Sequence, residues 1–241
     1  MKTTLLLCLS LYIMPGLAQE VIRVGVELQP YRPYSNVQDG EYQGYARDLL
    51  DAFAAEHGYH FVYTPLPVRR LLGDFLEGRV DLKFPDHPQW NADQKAGHTI
   101  RYSQPAAPYI DGVLLKPRYL GLGKARIRRL GTQNGFTPWP YLSDIRSGRI
   151  RLIQANQIDS LLRMAISDRV DAVYLNPHVV THQLRTMRLP VDALIFDPEL
   201  DHVRDHYYLS SISHPQVIAA FDRFLRERAE RVATIRRRHG L

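Results

Sequence analysis

Glu27 ends an alternating apolar run over residues 21–28 and stands where the first strand of the chain would close. A carboxylate at a strand end can hold a cationic group or serve as a general base. A second acid, Asp86, completes the segment Lys83-Phe84-Pro85-Asp86. Lys83 and Asp86 are placed to form a polar pair facing a ligand, or a buried structural ion pair. Trp90 follows in the same loop, and Tyr31 and Tyr34 occupy the loop after the first strand. These rings can sandwich a planar or apolar ligand part, or pack on their own lobe. Arg70, early in a helix, offers a guanidinium to an anion, with a solvated helix face as the plainer role. Gln133, Asn134 and Phe136 follow a later strand and precede a Pro-rich helix start, where backbone N–H groups favour anions. Asn176 closes an equivalent strand as a hydrogen-bonding group or a helix cap.

Other chemistries lack their parts. His178 and His182 are spaced i, i+4, as are His202 and His206, but two histidines without a third ligand do not specify zinc. The sequence holds no P-loop, dinucleotide fingerprint or Ser-His-Asp motif. Cys8 is the only cysteine and lies in the N-terminal apolar segment, so a chain cleaved beyond it has no thiolate and no disulfide. No cofactor is expected. Glu27 and Asp86 are the candidates for acid–base work if the chain is an enzyme.

The segment Gly78-Arg79-Val80-Asp81 through Trp90 is central to placing these residues. Gly78 stops a helix, residues 79–84 alternate as a short buried strand, and Pro85 ends pairing before a polar, aromatic loop. In an open α/β sheet, ligands bind outside the carboxyl ends of strands. The device returns about ninety residues later as Arg169-Val170-Asp171, a strand, then Asn176-Pro177. The echo suggests two similar α/β units, each presenting a loop at a strand end. Helices are expected over residues 43–57, 67–77, 156–166 and 215–239. In the third, Ile158, Leu161, Leu162, Ala165 and Ile166 form an apolar stripe behind Asn156 as cap. Lys116 to Lys124, with Pro117, Gly121 and Gly123, reads as a crossing between units.

The chain has 241 residues and 45% hydrophobic content, enough for one large or two small domains. Its start is a basic Met1-Lys2, an apolar stretch over residues 4–17, and a Gly16-Leu17-Ala18 cleavage pattern, which reads as an export signal cleaved after Ala18. No later apolar run is long enough to span a bilayer. The formal net charge of +6 gathers in residues 124–129 and 223–238, read as solvated basic faces; with export expected, nucleic acid is not a partner.

The order of motifs resembles the family 3 periplasmic solute-binding proteins of amino-acid ABC importers. It is carried by Tyr31-Arg32-Pro33-Tyr34, Gly44-Tyr45-Ala46-Arg47-Asp48-Leu49, Leu76-Glu77-Gly78-Arg79-Val80-Asp81, Tyr102-Ser103-Gln104-Pro105, Gly131-Thr132-Gln133-Asn134-Gly135 and Arg169-Val170-Asp171. The resemblance implies an α/β fold with two lobes, the periplasmic binding protein type II arrangement, and a small-molecule ligand in the cleft between them. It implies a first lobe over residues 19–115, a second over 116–195, and a return to the first over 196–241. Members that bind amino acids hold the α-carboxylate with an arginine before the Ser-x-Pro segment and the α-amino group with an acid after the second-lobe strand. Here residues 93–97 contain Lys95 but no arginine, and the acid's place is Asn176. Both halves of that clamp are altered, so a standard amino acid is not the expected ligand. The expected role is a monomeric periplasmic binding protein, not an enzyme, serving an ABC permease. The alternatives are a ligand sensor feeding a membrane receptor and a dehydratase-like enzyme on the same fold.

Overall fold

The computed structural model describes residues 20–241; the expected export signal lies outside the described residues. In the first lobe, β1 (Val21–Glu27) leads through a small hairpin, β2 (Asn36–Gln38) and β3 (Glu41–Gln43), into α1 (Tyr45–His57). Then follow β4 (His60–Leu66), α2 (Val68–Leu76) and β5 (Leu82–Asp86). Strand β1 lies between β4 and β5 and runs parallel to both, so its carboxyl end, with Glu27, opens at the edge where an α/β sheet presents ligand sites. A short helix α3 (Ala92–Lys95) and β6 (Arg101–Tyr102) lead to β7 (Ala107–Leu115).

The second lobe repeats the arrangement on a smaller scale. It contains β8 (Arg129–Gln133), α4 (Leu142–Arg146), β9 (Arg151–Ala155), α5 (Ile158–Ile166), β10 (Ala172–Leu175), α6 (Pro177–Thr186) and β11 (Ile195–Phe196). Strand β8 runs parallel to β9 and β10, and β10 is antiparallel to β7. The chain returns through β12 (Val203–Ser211) to α7 (Pro215–Glu227) and α8 (Ala229–Arg238).

Strands β7 and β12 are shared by the lobes. Residues 107–111 pair with residues 203–207 as an antiparallel ribbon. Beyond Asp111, β7 pairs with β10 and β11; beyond Tyr207, β12 pairs with β5 and β6. Two strands side by side are the physical link across which the lobes can bend.

The Arg-Val-Asp echo has a structural cause. Asp81 accepts the backbone N–H of Arg23 at 2.8 Å and its guanidinium at 2.7 Å, tying the entry of β5 to β1. Asp171 does the same for Arg129, at 2.8 Å from both its N–H and its guanidinium, tying β10 to β8. Each aspartate satisfies backbone donors at a strand entry, which is why the same tripeptide recurs.

Packing follows the predicted stripes, with local departures. In α5, Ile158, Leu161, Leu162 and Ala165 are buried as expected, but the residue before the helix is Gln157. Asn156 instead accepts a hydrogen bond from the Asn134 amide at 3.0 Å. The long terminal helix divides at Arg228. Within the first lobe, Phe53 of α1 meets Phe221 and Phe224 of α7 at centroid separations of 5.0 and 5.6 Å. Strand β5 begins later and runs through Pro85. The missing N–H is tolerated because Pro85 falls at a register shift against β12, between the Asp86–Tyr208 and Lys83–Ser210 pairs.

Candidate functional site

A cavity of about 110 Å³ opens where the two crossing strands pass between the lobes. From the first lobe, Glu27, Tyr31, Tyr34 and Trp90 line it. The crossing strands add Tyr109, Asp111 and Tyr207, and the second lobe adds Phe136, Trp139 and Tyr174. The lobes meet over this space. The Tyr31 and Phe136 rings approach edge-on at 5.3 Å, and the Asn176 amide donates to the Tyr34 hydroxyl at 3.4 Å.

Local backbone chemistry sets the aromatic wall. The Tyr31 N–H donates to the Ser35 carbonyl at 2.8 Å and the Tyr34 N–H to the Tyr31 carbonyl at 3.0 Å, closing a tight turn that aims both rings inward. Gly44 lets α1 start directly beneath that turn. Its φ is +106°, and a Cβ there would lie 2.8 Å from the Tyr34 carbonyl oxygen. The Tyr34 hydroxyl donates to the Pro108 carbonyl at 3.1 Å, fixing the loop to the crossing strand. Tyr109 and Tyr207 stack across the ribbon at 4.5 Å and 12°. Trp90 stands 6.2 Å from Tyr109 and 6.0 Å from Tyr207, and Tyr34 meets Tyr207 edge-on at 5.3 Å. The rings therefore form one continuous apolar surface with hydroxyl handles.

Two carboxylates interrupt it. Burial pushes the Asp111 carboxyl up to about 7, partly offset by a long 3.5 Å hydrogen bond from the Tyr31 hydroxyl and reinforced by the charge of Glu27. Glu27 is itself raised, chiefly by burial, with the Lys83 charge pulling the other way. Among the described residues lining the cavity, none is lysine or arginine. Acids raised by burial at a concave site are candidates for functional groups.

The predicted site residues divide. Glu27, Tyr31, Tyr34, Trp90 and Phe136 share the cavity. Lys83 and Asp86 do not line it: they belong to a buried ion cluster behind Trp90. The Asp86 carboxylate, fully buried, accepts from the Lys83 and Lys95 ammonium groups at 2.8 Å each, from the His87 N–H at 2.8 Å, and from the Ser210 hydroxyl at 2.7 Å. Burial opposes its ionisation, but the two lysines outweigh that and hold the carboxyl below its ordinary value. Each ammonium donates a second hydrogen bond to a carbonyl, Lys83 to Pro85 at 2.9 Å and Lys95 to His87 at 2.7 Å. His87 closes the cluster towards the crossing strand: its Nδ1 accepts the Gln89 N–H at 3.1 Å, so its Nε2 donates to Asp205 at 3.0 Å.

The other four predicted residues are also placed off the cavity wall. Arg70 is exposed and pairs with Asp74 one turn along its own helix at 3.6 Å. Gln133 is buried beneath the strand end, and the exposed Asn134 bonds to Asn156. The helix beyond them, α4, has only five residues, too short to gather an N-terminal anion site. Asn176 caps α6, accepting the His178 N–H at 2.9 Å, and touches the site only through Tyr34. Among the described residues, no group of three or more His, Cys, Asp or Glu is arranged to hold a metal ion.

Sequence reasoning missed Asp111, Tyr109, Tyr207, Tyr174 and Trp139. Tyr109 and Asp111 are an i, i+2 pair on one strand face, which was the available signal. A strand that passes between the lobes in this architecture is also the cleft floor.

The chain has the two-lobed α/β fold of the periplasmic binding protein type II class. Residues 22–104 match the family of bacterial extracellular solute-binding proteins, family 3. Solved structures that share the fold include the following three. One is a histidine kinase sensor domain with similarity to periplasmic binding proteins, at TM-score 0.74 and 18% identity over 92% of this chain and 96% of that one. Another is the arginine-, lysine-, histidine-binding protein ArtJ from Geobacillus stearothermophilus, at 0.70 and 16% over 91% and 95%. The third is the ancestral amino acid-binding protein AncCDT-1, a precursor of cyclohexadienyl dehydratase, at 0.69 and 15% over 91% and 95%. No curated protein matches. Among the described residues, no helix is long and apolar enough to cross a membrane.

Proposed function

We propose that this protein is an exported, monomeric solute-binding protein that captures a small molecule between its lobes and presents the closed form to a membrane partner. The observation that carries the reading is the cavity at the crossing strands, lined from both lobes and from the strands that link them. A ligand touching both lobes stabilises the closed arrangement by its differential affinity for it. Glu27, Tyr31, Tyr34, Trp90 and Phe136, with Asp111, Tyr174 and Tyr207, are the proposed contacts. Export with cleavage after Ala18 and delivery to an ABC permease complete the reading.

A second reading, signal input to a membrane receptor, is favoured by the likeness to a histidine kinase sensor domain. Both are binding roles without turnover. The test is a thermal-shift screen of the purified protein against amino acids, polyamines, organic acids, peptides and sugars, with each hit followed by NMR of the solute. A ligand at a hundred times its Kd adds about 2.7 kcal/mol. A hit that is recovered unchanged supports binding, and a hit converted to product overturns it in favour of an enzyme. Silence across the screen overturns capture of a small solute. Co-purification of the liganded form with a permease or with a receptor domain separates transport from sensing.

A further inference from the structure

We infer that the cleft is built for an organic cation that carries no carboxylate, an alkylammonium or quaternary ammonium compound. The inference rests on the binding-protein reading and names its ligand class.

Charge comes first. The cavity wall holds two acids, Glu27 and Asp111, and among its described residues no lysine or arginine. A zwitterion's carboxylate would enter beside two acids with no cation on the wall to meet it, and would hold both of them in the neutral form or face like charge. The nearest cations are committed elsewhere. Lys83 sits behind Trp90, 5.9 Å from the ring centroid, and its ammonium is bonded to Asp86 and the Pro85 carbonyl. Lys95 is bonded to the same carboxylate and to the His87 carbonyl.

The wall itself is the second argument. Rings of Tyr31, Tyr34, Trp90, Tyr109 and Tyr207 face one space and pack against one another rather than filling it. Aromatic faces around a desolvated cation are the recognition mode for ammonium groups. Third, Tyr174 lines the same cavity, is 4% exposed, and its buried hydroxyl has no hydrogen-bond partner. A buried hydroxyl without a partner calls for an explanation, and at a cavity wall a ligand atom supplies one. An N–H or hydroxyl on the bound molecule would satisfy it. The raised carboxyls of Glu27 and Asp111 fit this picture, since an arriving cation supplies the counter-charge that their burial withholds.

The experiment uses matched probes on the purified protein, read by thermal shift and calorimetry. Choline is compared with 3,3-dimethylbutan-1-ol, its uncharged carbon isostere, and with glycine betaine, which adds a carboxylate. Agmatine is compared with arginine, which adds one too. Choline or agmatine should raise Tm, with the uncharged or carboxylated counterpart weaker by about tenfold or more. Asp111→Asn and Glu27→Gln should each weaken that cation by about tenfold, with circular dichroism confirming the fold. The wild-type pairs stand without the variants. Equal binding of arginine and agmatine, of betaine and choline, or of the uncharged isostere overturns the inference. So does the silence of both cations at ~10 mM, a concentration that reveals even millimolar affinity. If the cations are silent while another solute shifts Tm, the binding reading survives and this one fails. If nothing in either set shifts Tm, both fail.

Discussion

Asp86 and Asp111 lie along the same returning strand, opposite Tyr208 and Val203 respectively, and both turn inward. Asp86 is met by two ammonium groups, a backbone N–H and a hydroxyl, and its carboxyl is held below the ordinary range. Asp111 is met by tyrosine rings, one long hydroxyl contact and a second acid, and its carboxyl is pushed up to about 7. The same side chain is thus finished in one place and unfinished about one strand-length away. Asp86 is fully buried and Asp111 half-buried, but that difference is not what sets their roles apart. What separates them is whether the counter-charge is supplied by the fold or left to something else. The finished cluster makes the lobe-one loop rigid behind Trp90. The unfinished pair faces the cavity between the lobes.

The sharpest way to break this comparison is Asp86→Asn. It leaves Lys83 and Lys95 buried with no carboxylate, and removing one member of a buried charge cluster costs about 3–5 kcal/mol. Urea unfolding should show a loss of that size, a large share of a typical stability of ~5–15 kcal/mol. The pH dependence carries the same sign. Because the folded carboxyl is depressed, its stabilisation is present above the ordinary value of about 4 and is lost as pH falls through the lower folded value. A cost below about 1 kcal/mol would place Asp86 with ordinary surface ion pairs and end the contrast.

Asp111→Asn should act in the opposite direction. The unfolded carboxyl ionises near 4 and the folded one near 7, so the folded state holds the extra proton between them. Stability therefore falls as pH rises through that window, and the penalty is complete above 7. The groups facing Asp111 are Glu27, Tyr31, Tyr34, Tyr109, Tyr174 and Tyr207, and none offers a positive charge. Replacing the acid should stabilise the empty protein by roughly 2 kcal/mol at pH 8, about half of what the full shift corresponds to, since an amide is still a partly buried polar group. The gain should fade to nothing near pH 4. A variant less stable than wild type at pH 8 would mean that Asp111 is as well partnered as Asp86.

Asn176 calibrates the pair, being fully buried but uncharged. If burial set the cost, Asn176→Ala would rival Asp86→Asn. Loss of a helix cap and of one bond to Tyr34 predicts only about 1 kcal/mol, measured by the same urea titration.

The finished cluster was partly legible in the sequence, and the unfinished one was only half so. Lys83 and Asp86 are three residues apart on one strand end, a spacing that announces a pair, though Lys95 and Ser210 as its other members come from distant chain. Glu27, Tyr31, Tyr34 and Trp90 were readable because strand ends and the loops after them are where such sheets bind. Asp111 was hidden because its strand is apolar on both sides and its neighbour in space, Tyr207, is far away in sequence. The pairing of residues 107–111 with 203–207 is a long-range fact that no local pattern encodes. The Arg-Val-Asp echo shows the converse: it was visible as a repeat, and its cause, an aspartate satisfying the N–H groups of a neighbouring strand, is local to each lobe.

Glu27 falls between the two aspartates and gives the finest test. Burial raises its carboxyl, as at Asp111, but the Lys83 charge draws it back and the Asp86 charge raises it further, so it feels both clusters. Glu27→Gln should therefore stabilise the empty protein at pH 8, by less than Asp111→Asn and below about 1 kcal/mol, the range of an ordinary substitution. It should also remove the negative charge that helps hold the Asp111 carboxyl up, moving that titration to lower pH. Carbon-13 NMR of the side-chain carboxyls would follow both groups in one experiment. An Asp111 titration unmoved by the change would show that the two acids act separately, and that the cleft holds one site for positive charge at the crossing strands rather than a shared one.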